Sequence, residues 1–331
     1  MPPPGRLRRP ACVGFPFATS PAPVTFRDVS TYLERLAART QSVGSVLCLG
    51  VDPQPEALPS GFAQTLAGVE RFCEVLLDAA LPYAAAVKPN LAFFEAFGHE
   101  GIAALERLRG RIPADVPFIA DAKRGDIGST AARQAVALFD LLGADAITVN
   151  PYLGSEAIAP LISRPDRFAY LLCRTSNPGA GELQNLEVAP DPSLGAPAEP
   201  LYARLARRAQ AWGPGGTVGL VVGATAPAEL ERIRGIAPRL AFLVPGVGAQ
   251  GGEVEPVLRL GPAAAAPGAG PTAPPAPPAP PAPGGGLLVN VSRGISGAVK
   301  EGGDPARQLA AAAGDWSERL SLARVEVGAG R

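Results

Sequence analysis

A chain of 331 residues, 47% of them hydrophobic and 18% charged, can bury a sizeable core and is too apolar to be disordered throughout. Thirty Lys plus Arg balance thirty Asp plus Glu, so the composition lacks the basic excess of a nucleic-acid or anionic-membrane binder. No run approaches the roughly 20 consecutive apolar residues of a membrane helix, which predicts a soluble chain with a small-molecule partner, no nucleic acid and no membrane.

Residues 1–23 are rich in Pro and Arg and lack apolar periodicity, which predicts a disordered N-terminal extension. No apolar stretch follows Arg8-Arg9, so an extension or a misassigned start codon is favoured over an export signal. From 24 to 322, short β-like runs alternate with amphipathic helical windows. Strands are predicted over 46–51, 83–88, 116–122, 144–149, 168–173, 217–222, 241–244 and 287–291, with helices between them, among others over 62–80, 102–109, 129–142, 201–212, 226–236 and 305–322. Eight βα units in a core of roughly 250 residues match an α/β fold of the (β/α)8, or TIM-barrel, class, whose sites lie at the C-terminal strand ends. A doubly wound open sheet is the alternative. It requires a glycine-rich dinucleotide turn after the first strand, where this chain has Gly50-Val51-Asp52-Pro53. Residues 261–286 contain only Gly, Pro, Ala and one Thr, and read as a surface insertion before the last strand with nothing to pack. Residues 323–331 read as a C-terminal tail.

The rare residues narrow the chemistry. The single His, His99, lies in the turn-like stretch Phe97-Gly98-His99-Glu100-Gly101 and reads as solvated, which leaves no basis for a Ser-His-Asp triad or a multi-His metal site. Cys12, Cys48, Cys73 and Cys173 are far apart without metal-ligand spacing, which predicts no metal and a reducing, cytoplasmic compartment. Cys48 and Cys173 fall inside apolar runs and read as small buried hydrophobes. Lys occurs only at 88, 123 and 300, so nearly every other cation is Arg. A Lys closing an apolar strand is then a marked choice, because an ammonium is compact and can transfer a proton whereas guanidinium cannot.

Two of the three lysines close adjacent predicted strands. The run Phe118-Ile119-Ala120-Asp121-Ala122-Lys123-Arg124-Gly125-Asp126 passes from an apolar strand straight into charges, and alternation puts Asp121 and Lys123 on one face. Strands lie about 4.8 Å apart, which brings Lys88, at the end of Ala84-Ala85-Ala86-Val87-Lys88, within reach of Asp121. The outcome is an array of Lys88, Asp121, Lys123 and Asp126. Taken alone such charges more often form a solvated or salt-bridged set. Asp52, Asn150, Ser176, Gln250 and Arg293 close the other strands, and that convergence marks a site. The loops Pro245-Gly246-Val247-Gly248-Ala249-Gln250-Gly251-Gly252 and Val289-Asn290-Val291-Ser292-Arg293-Gly294-Ile295 follow strands seven and eight. Backbone N–H groups, the Gln250 amide and a forked Arg293 there suit a phosphate.

In these motifs, with Leu49-Gly50-Val51-Asp52-Pro53, Val87-Lys88-Pro89-Asn90 and Thr175-Ser176-Asn177-Pro178-Gly179, the chain resembles the orotidine 5'-phosphate decarboxylase family in its longer bacterial form (type 2) over residues 25–322. The resemblance implies a cofactor-free loss of CO2 from orotidine 5'-monophosphate, giving UMP in pyrimidine biosynthesis. It implies that Lys123 protonates C6, that Asp121 lies near the departing carboxylate, and that Lys88 holds Asp121 and the ribose. It further implies that Asp126, with Ile127 and Thr130 beside it, reaches into a neighbouring subunit of a homodimer. Asp52 would then contact ribose, Ser176 the pyrimidine, and Gln250, Arg293 and Gly294 the phosphate. Two rivals remain. Mg2+-dependent relatives, keto-gulonate phosphate decarboxylase and hexulose-phosphate synthase, favour a carboxylate where Lys88 stands, and a non-catalytic phosphate-binding barrel has no use for the charge array.

Overall fold

The computed structural model describes residues 30–213, 215–264 and 283–329, with 278, 280 and 281. The eight apolar runs form eight parallel strands: β1 (Leu47–Val51), β2 (Ala86–Pro89), β3 (Ile119–Arg124), β4 (Ala146–Val149), β5 (Phe168–Arg174), β6 (Val218–Val222), β7 (Ala241–Val244) and β8 (Leu288–Val291). They are hydrogen-bonded in the order β2-β1-β8-β7-β6-β5-β4-β3. Bridges between Val87 and Phe118 and between Asn90 and Asp121 join the two remaining edges. The ring is closed, as the βα count predicts, and the open doubly wound sheet is ruled out.

Around it run α1 (Tyr32–Val43), α2 (Leu66–Ala80), α3 (Gly98–Arg111), α4 (Gly128–Ala135), α5 (Ser155–Ile162), α6 (Leu201–Trp212), α7 (Pro227–Ile236), α8 (Val254–Leu260), α9 (Pro305–Arg319) and α10 (Leu322–Ala329). Their apolar faces bury against the outward strand residues in one continuous cluster. The inward residues, among them Cys48, Ala86, Ile119, Ala146, Phe168, Tyr170 and Leu243, fill the barrel itself.

Helix α1 lies outside the helical windows read from the sequence, and it closes the base of the barrel. Thr31 caps it reciprocally with Glu34: the Glu34 N–H donates to Thr31 Oγ1 (3.3 Å) and the Thr31 N–H to Glu34 Oε2 (2.7 Å). Tyr32 enters the barrel, stacks on Phe168 at 4.7 Å between ring centroids and shares a 3.0 Å hydrogen bond with the Tyr170 hydroxyl. Full burial of such a ring stabilises by about 1.5–3 kcal/mol. With the base plugged, only the C-terminal strand ends open to solvent.

Three expectations need correction. His99 is exposed as predicted, yet it stands in the first turn of α3 rather than in a turn, because the glycines flanking it do not break the apolar spacing Ala104, Leu105, Leu108 that buries the helix. The expected tail from 323 onward begins as α10, held by buried Leu322 and Val325. The described flanks of the 261–286 insertion do pack: the Ala263 N–H donates to the Gly285 carbonyl (3.0 Å) and that of Ala264 to Pro238 (2.9 Å), so the two arms are pinned together. The expectations for 1–23, Cys12 and 265–277 fall outside the described residues.

Candidate active site

The site is organised by an irregularity in β3. Ile119 and Ala120 pair in register with Ala146 and Ile147 of β4, but Arg124 next pairs with Val149, so β3 carries two extra residues across Asp121–Lys123. Bulges of this kind re-aim side chains near functional sites. Here the bulge places Lys123 at φ +47°, the one non-glycine residue with positive φ among the described residues. Such a conformation costs about 1–3 kcal/mol and persists only where its surroundings enforce it. The enforcing contact is Thr148 on β4, whose Oγ1 accepts the Lys123 backbone N–H (3.0 Å) in place of the lost ladder partner.

Three members of the expected array converge on this point. Lys88 Nζ donates to Asp121 Oδ2 at 2.6 Å, and Lys123 Nζ to Asp121 Oδ1, also at 2.6 Å. The Thr148 hydroxyl donates to the same Oδ1 at 2.8 Å. Lys88 is buried and Lys123 is half exposed, so one ammonium is sealed beneath the carboxylate and the other faces the barrel mouth. Burial alone raises the pKa of the Asp121 carboxyl, but the two ammonium groups overcome it and hold the carboxyl well below the usual range. Burial likewise works against the Lys88 ammonium, and Asp121, helped by Asp52, outweighs it and raises its pKa above the ordinary value. Beneath them Cys48 is buried, and burial pushes its thiol up to about 12 against the pull of Lys88. It is a packed hydrophobe, as expected.

Both Asp121 oxygens are already taken by ammonium groups, Oδ2 by Lys88 and Oδ1 by Lys123. A carboxylate so occupied has little left to offer a divalent cation, and the half-exposed Lys123 ammonium is available to an anion.

Beside the array lies a cavity of about 520 Å³. Asp52, Asn90, Gln250 and Arg293 line it together with Phe72, Cys73 and Leu76 of α2, whereas Lys88, Asp121 and Lys123 do not. The two loops expected to grip phosphate therefore do meet across one space. Asp52 Oδ1, which lies on this cavity, and Asn290 Oδ1 and Ser292 Oγ at the β8 end are buried without hydrogen-bond partners.

Trp316, on α9, fixes the spacing of both loops. Its indole N–H donates to the Gly294 carbonyl at 3.2 Å. A Cβ on Gly294 would come 2.8 Å from that ring, and one on Gly248, at φ +75°, 2.9 Å from its far edge. Only glycine fits either position. Gly294 thus packs against the indole as well as bordering Arg293.

Ser176, after β5, sits against Gly223 and Gly246 at the ends of β6 and β7. Its loop is held by Gln184, which accepts the Thr175 N–H (2.9 Å) and donates to its hydroxyl (2.8 Å). Asp126, Ile127 and Thr130 are not brought to the array. Asp126 Oδ1 accepts the Ile127 N–H (2.7 Å), and among the described residues Asp126 pairs with neither lysine. Ile127 is 62% exposed. Asn150 turns back on its own loop, accepting the Tyr152 N–H at 3.1 Å. Thr148, Asn90 and Trp316 also shape the site, beyond the residues expected from the sequence. Thr148 carried a signal, a polar residue at an inward position of an apolar strand; Trp316 carried none.

A closed (β/α)8 barrel with a lysine–carboxylate array at its strand ends, and Gln250 and Arg293 lining one cavity, defines a barrel enzyme for small anionic phosphoesters. The chain belongs to the Orotidine 5'-phosphate decarboxylase / HUMPS family, whose profile it matches over residues 45–273. It is 45% identical over 264 residues to the orotidine 5'-phosphate decarboxylase of Roseiflexus castenholzii, covering 80% of this chain and 86% of that one. To the orotidine 5'-phosphate decarboxylase of Thermomicrobium roseum it is 48% identical over 226 residues, covering 68% and 78%. The solved OMP decarboxylase of Leishmania donovani superposes with a TM-score of 0.71 at 37% identity, covering 91% of this chain and all of that one.

Proposed function

We propose that the protein decarboxylates orotidine 5'-monophosphate to UMP and CO2. The observation that carries this reading over the Mg2+-dependent branch of the family is Lys88, buried and bonded to Asp121 at 2.6 Å where that branch favours a carboxylate. The C6–carboxylate bond breaks, CO2 leaves, and the electron pair stays on C6 in the ring plane, beyond reach of the π system. The Lys123 ammonium stabilises that charge at short range. It then transfers a proton to C6 and is reprotonated from water. Asp121 holds Lys123 in place and crowds the substrate carboxylate, while Lys88 prevents Asp121 from being protonated. Gln250 and Arg293 bind the phosphate, and this remote binding energy can be expressed in the transition state.

Asp126 acts in the site of a second copy. That it makes no ion pair among the described residues supports this, as do exposed Ile127, Tyr152 and Leu153 on the adjoining loops. Cys48, Cys73 and Cys173, free and buried, support a reducing, cytoplasmic setting. Among the described residues no helix is long and apolar enough to cross a membrane. The test is the fall in ultraviolet absorbance when purified protein meets orotidine 5'-monophosphate with EDTA present. Full activity is expected; activity that EDTA abolishes and Mg2+ restores would transfer the chain to the metal-dependent branch.

A further inference from the structure

We infer that Thr148 is a positioning residue for Lys123, setting the aim of the proton-donating ammonium without touching the substrate. This deepens the decarboxylase reading and rests on it. The β3 bulge removes the Lys123 N–H from the sheet ladder and turns its backbone left-handed. A free peptide would relax out of that conformation. One hydroxyl prevents it by working in both directions, accepting the Lys123 N–H and donating to Asp121 Oδ1. Because Lys123 Nζ binds that same Oδ1, the two ends of Lys123, its amide and its ammonium, are tied to a single hydroxyl–carboxylate pair. Thr148 is buried, and β4 holds it in register with β5 through Tyr170, so the anchor is rigid. A hydroxyl with one donor and spare lone pairs can make both bonds. An isosteric Val can make neither.

Replacing Thr148 by Val is therefore expected to lower kcat about 10- to 100-fold per folded site while KM for orotidine 5'-monophosphate moves less than about threefold, since the phosphate loops are untouched. Thr148→Ser keeps the hydroxyl and is expected to stay within about threefold of the parent. Hydrogen exchange at the Lys123 amide reads the same claim without activity: protected in the parent and in Thr148→Ser, fast in Thr148→Val. If Thr148→Val fails to fold, Thr148→Ala carries the same expectation, and loss of activity in Thr148→Ser by itself overturns the inference. So does a folded Thr148→Val with parental kcat. A parent protein inactive on orotidine 5'-monophosphate would instead remove the decarboxylase reading, and the amide measurement would still decide whether Thr148 anchors Lys123.

Discussion

Asp121 is the residue on which the site's electrostatics turn, because it compensates a lysine whose charge burial opposes. The sign of its contribution follows from the two shifts. Its folded-state pKa is depressed, so its stabilisation is present above the unfolded value of about 3.9 and lost as pH falls through the lower folded value. Lys88 is shifted upward, so its share is complete below about 10.4 and lost only as pH rises through the higher folded value. The pair is thus intact between these limits. Replacing Asp121 by Asn leaves Lys88 charged, buried and without its main partner, and should cost about 3–5 kcal/mol of stability at pH 7. The loss should shrink as pH rises and Lys88 deprotonates. Urea unfolding at pH 5, 7 and 9 checks this, and a small loss independent of pH would show that Lys88 is compensated elsewhere. At this scale the sequence was informative for a physical reason: a charge closing an apolar strand in a chain that otherwise writes its cations as Arg has few structural explanations. What it did not carry was the bulge. Spacing alone placed Asp121 and Lys123 on one face, whereas the aim of Lys123 depends on a hydroxyl twenty-five positions away on another strand.

Among the elements, the strands were the most legible, since each is a short apolar run between turn residues. β2 and β3 start three residues later than expected, in β2 because 3-10 geometry occupies Leu81–Tyr83. Helix α1 is harder to read, because the residue that matters most in it, Tyr32, faces the barrel interior rather than the sheet's outer face. The coupling of the phosphate loops through α9 is invisible to any local pattern, as Trp316 lies more than twenty positions from Gly294 and more than sixty from Gly248. Removing that indole deletes a hydrogen bond and leaves a void under both loops. Trp316→Ala should therefore raise KM about tenfold with a smaller change in kcat, the same direction as Arg293→Ala, and steady-state kinetics on orotidine 5'-monophosphate measures it. A fall confined to kcat would mean that α9 serves the chemistry rather than the grip.

In the whole molecule, the barrel presents three of the four expected charges in one chain and leaves Asp126 outside the cluster. Gly125 packs against the Asn150 carbonyl so closely that a Cβ would come within 2.4 Å, which commits the loop carrying Asp126 to its outward course. If a second copy supplies Asp126, a mixed dimer of Lys123→Ala and Asp126→Asn chains contains one site with both native residues. Mixing the two inactive proteins should then restore activity up to about one site in four. No recovery after verified exchange of subunits would place Asp126 in its own chain's site. The insertion before β8 leaves the site undisturbed: its described arms are pinned by the Ala263 to Gly285 bond, so β8 and Arg293 keep their place whatever length of chain lies between.

The most direct measurement is turnover of orotidine 5'-monophosphate by Lys123→Ala, made alongside its affinity for UMP. An ammonium that both stabilises and protonates the carbanion predicts a loss of at least about 10³-fold in kcat, with UMP still bound through Gln250 and Arg293. Turnover within about tenfold of the parent, from a folded variant, would contradict the account.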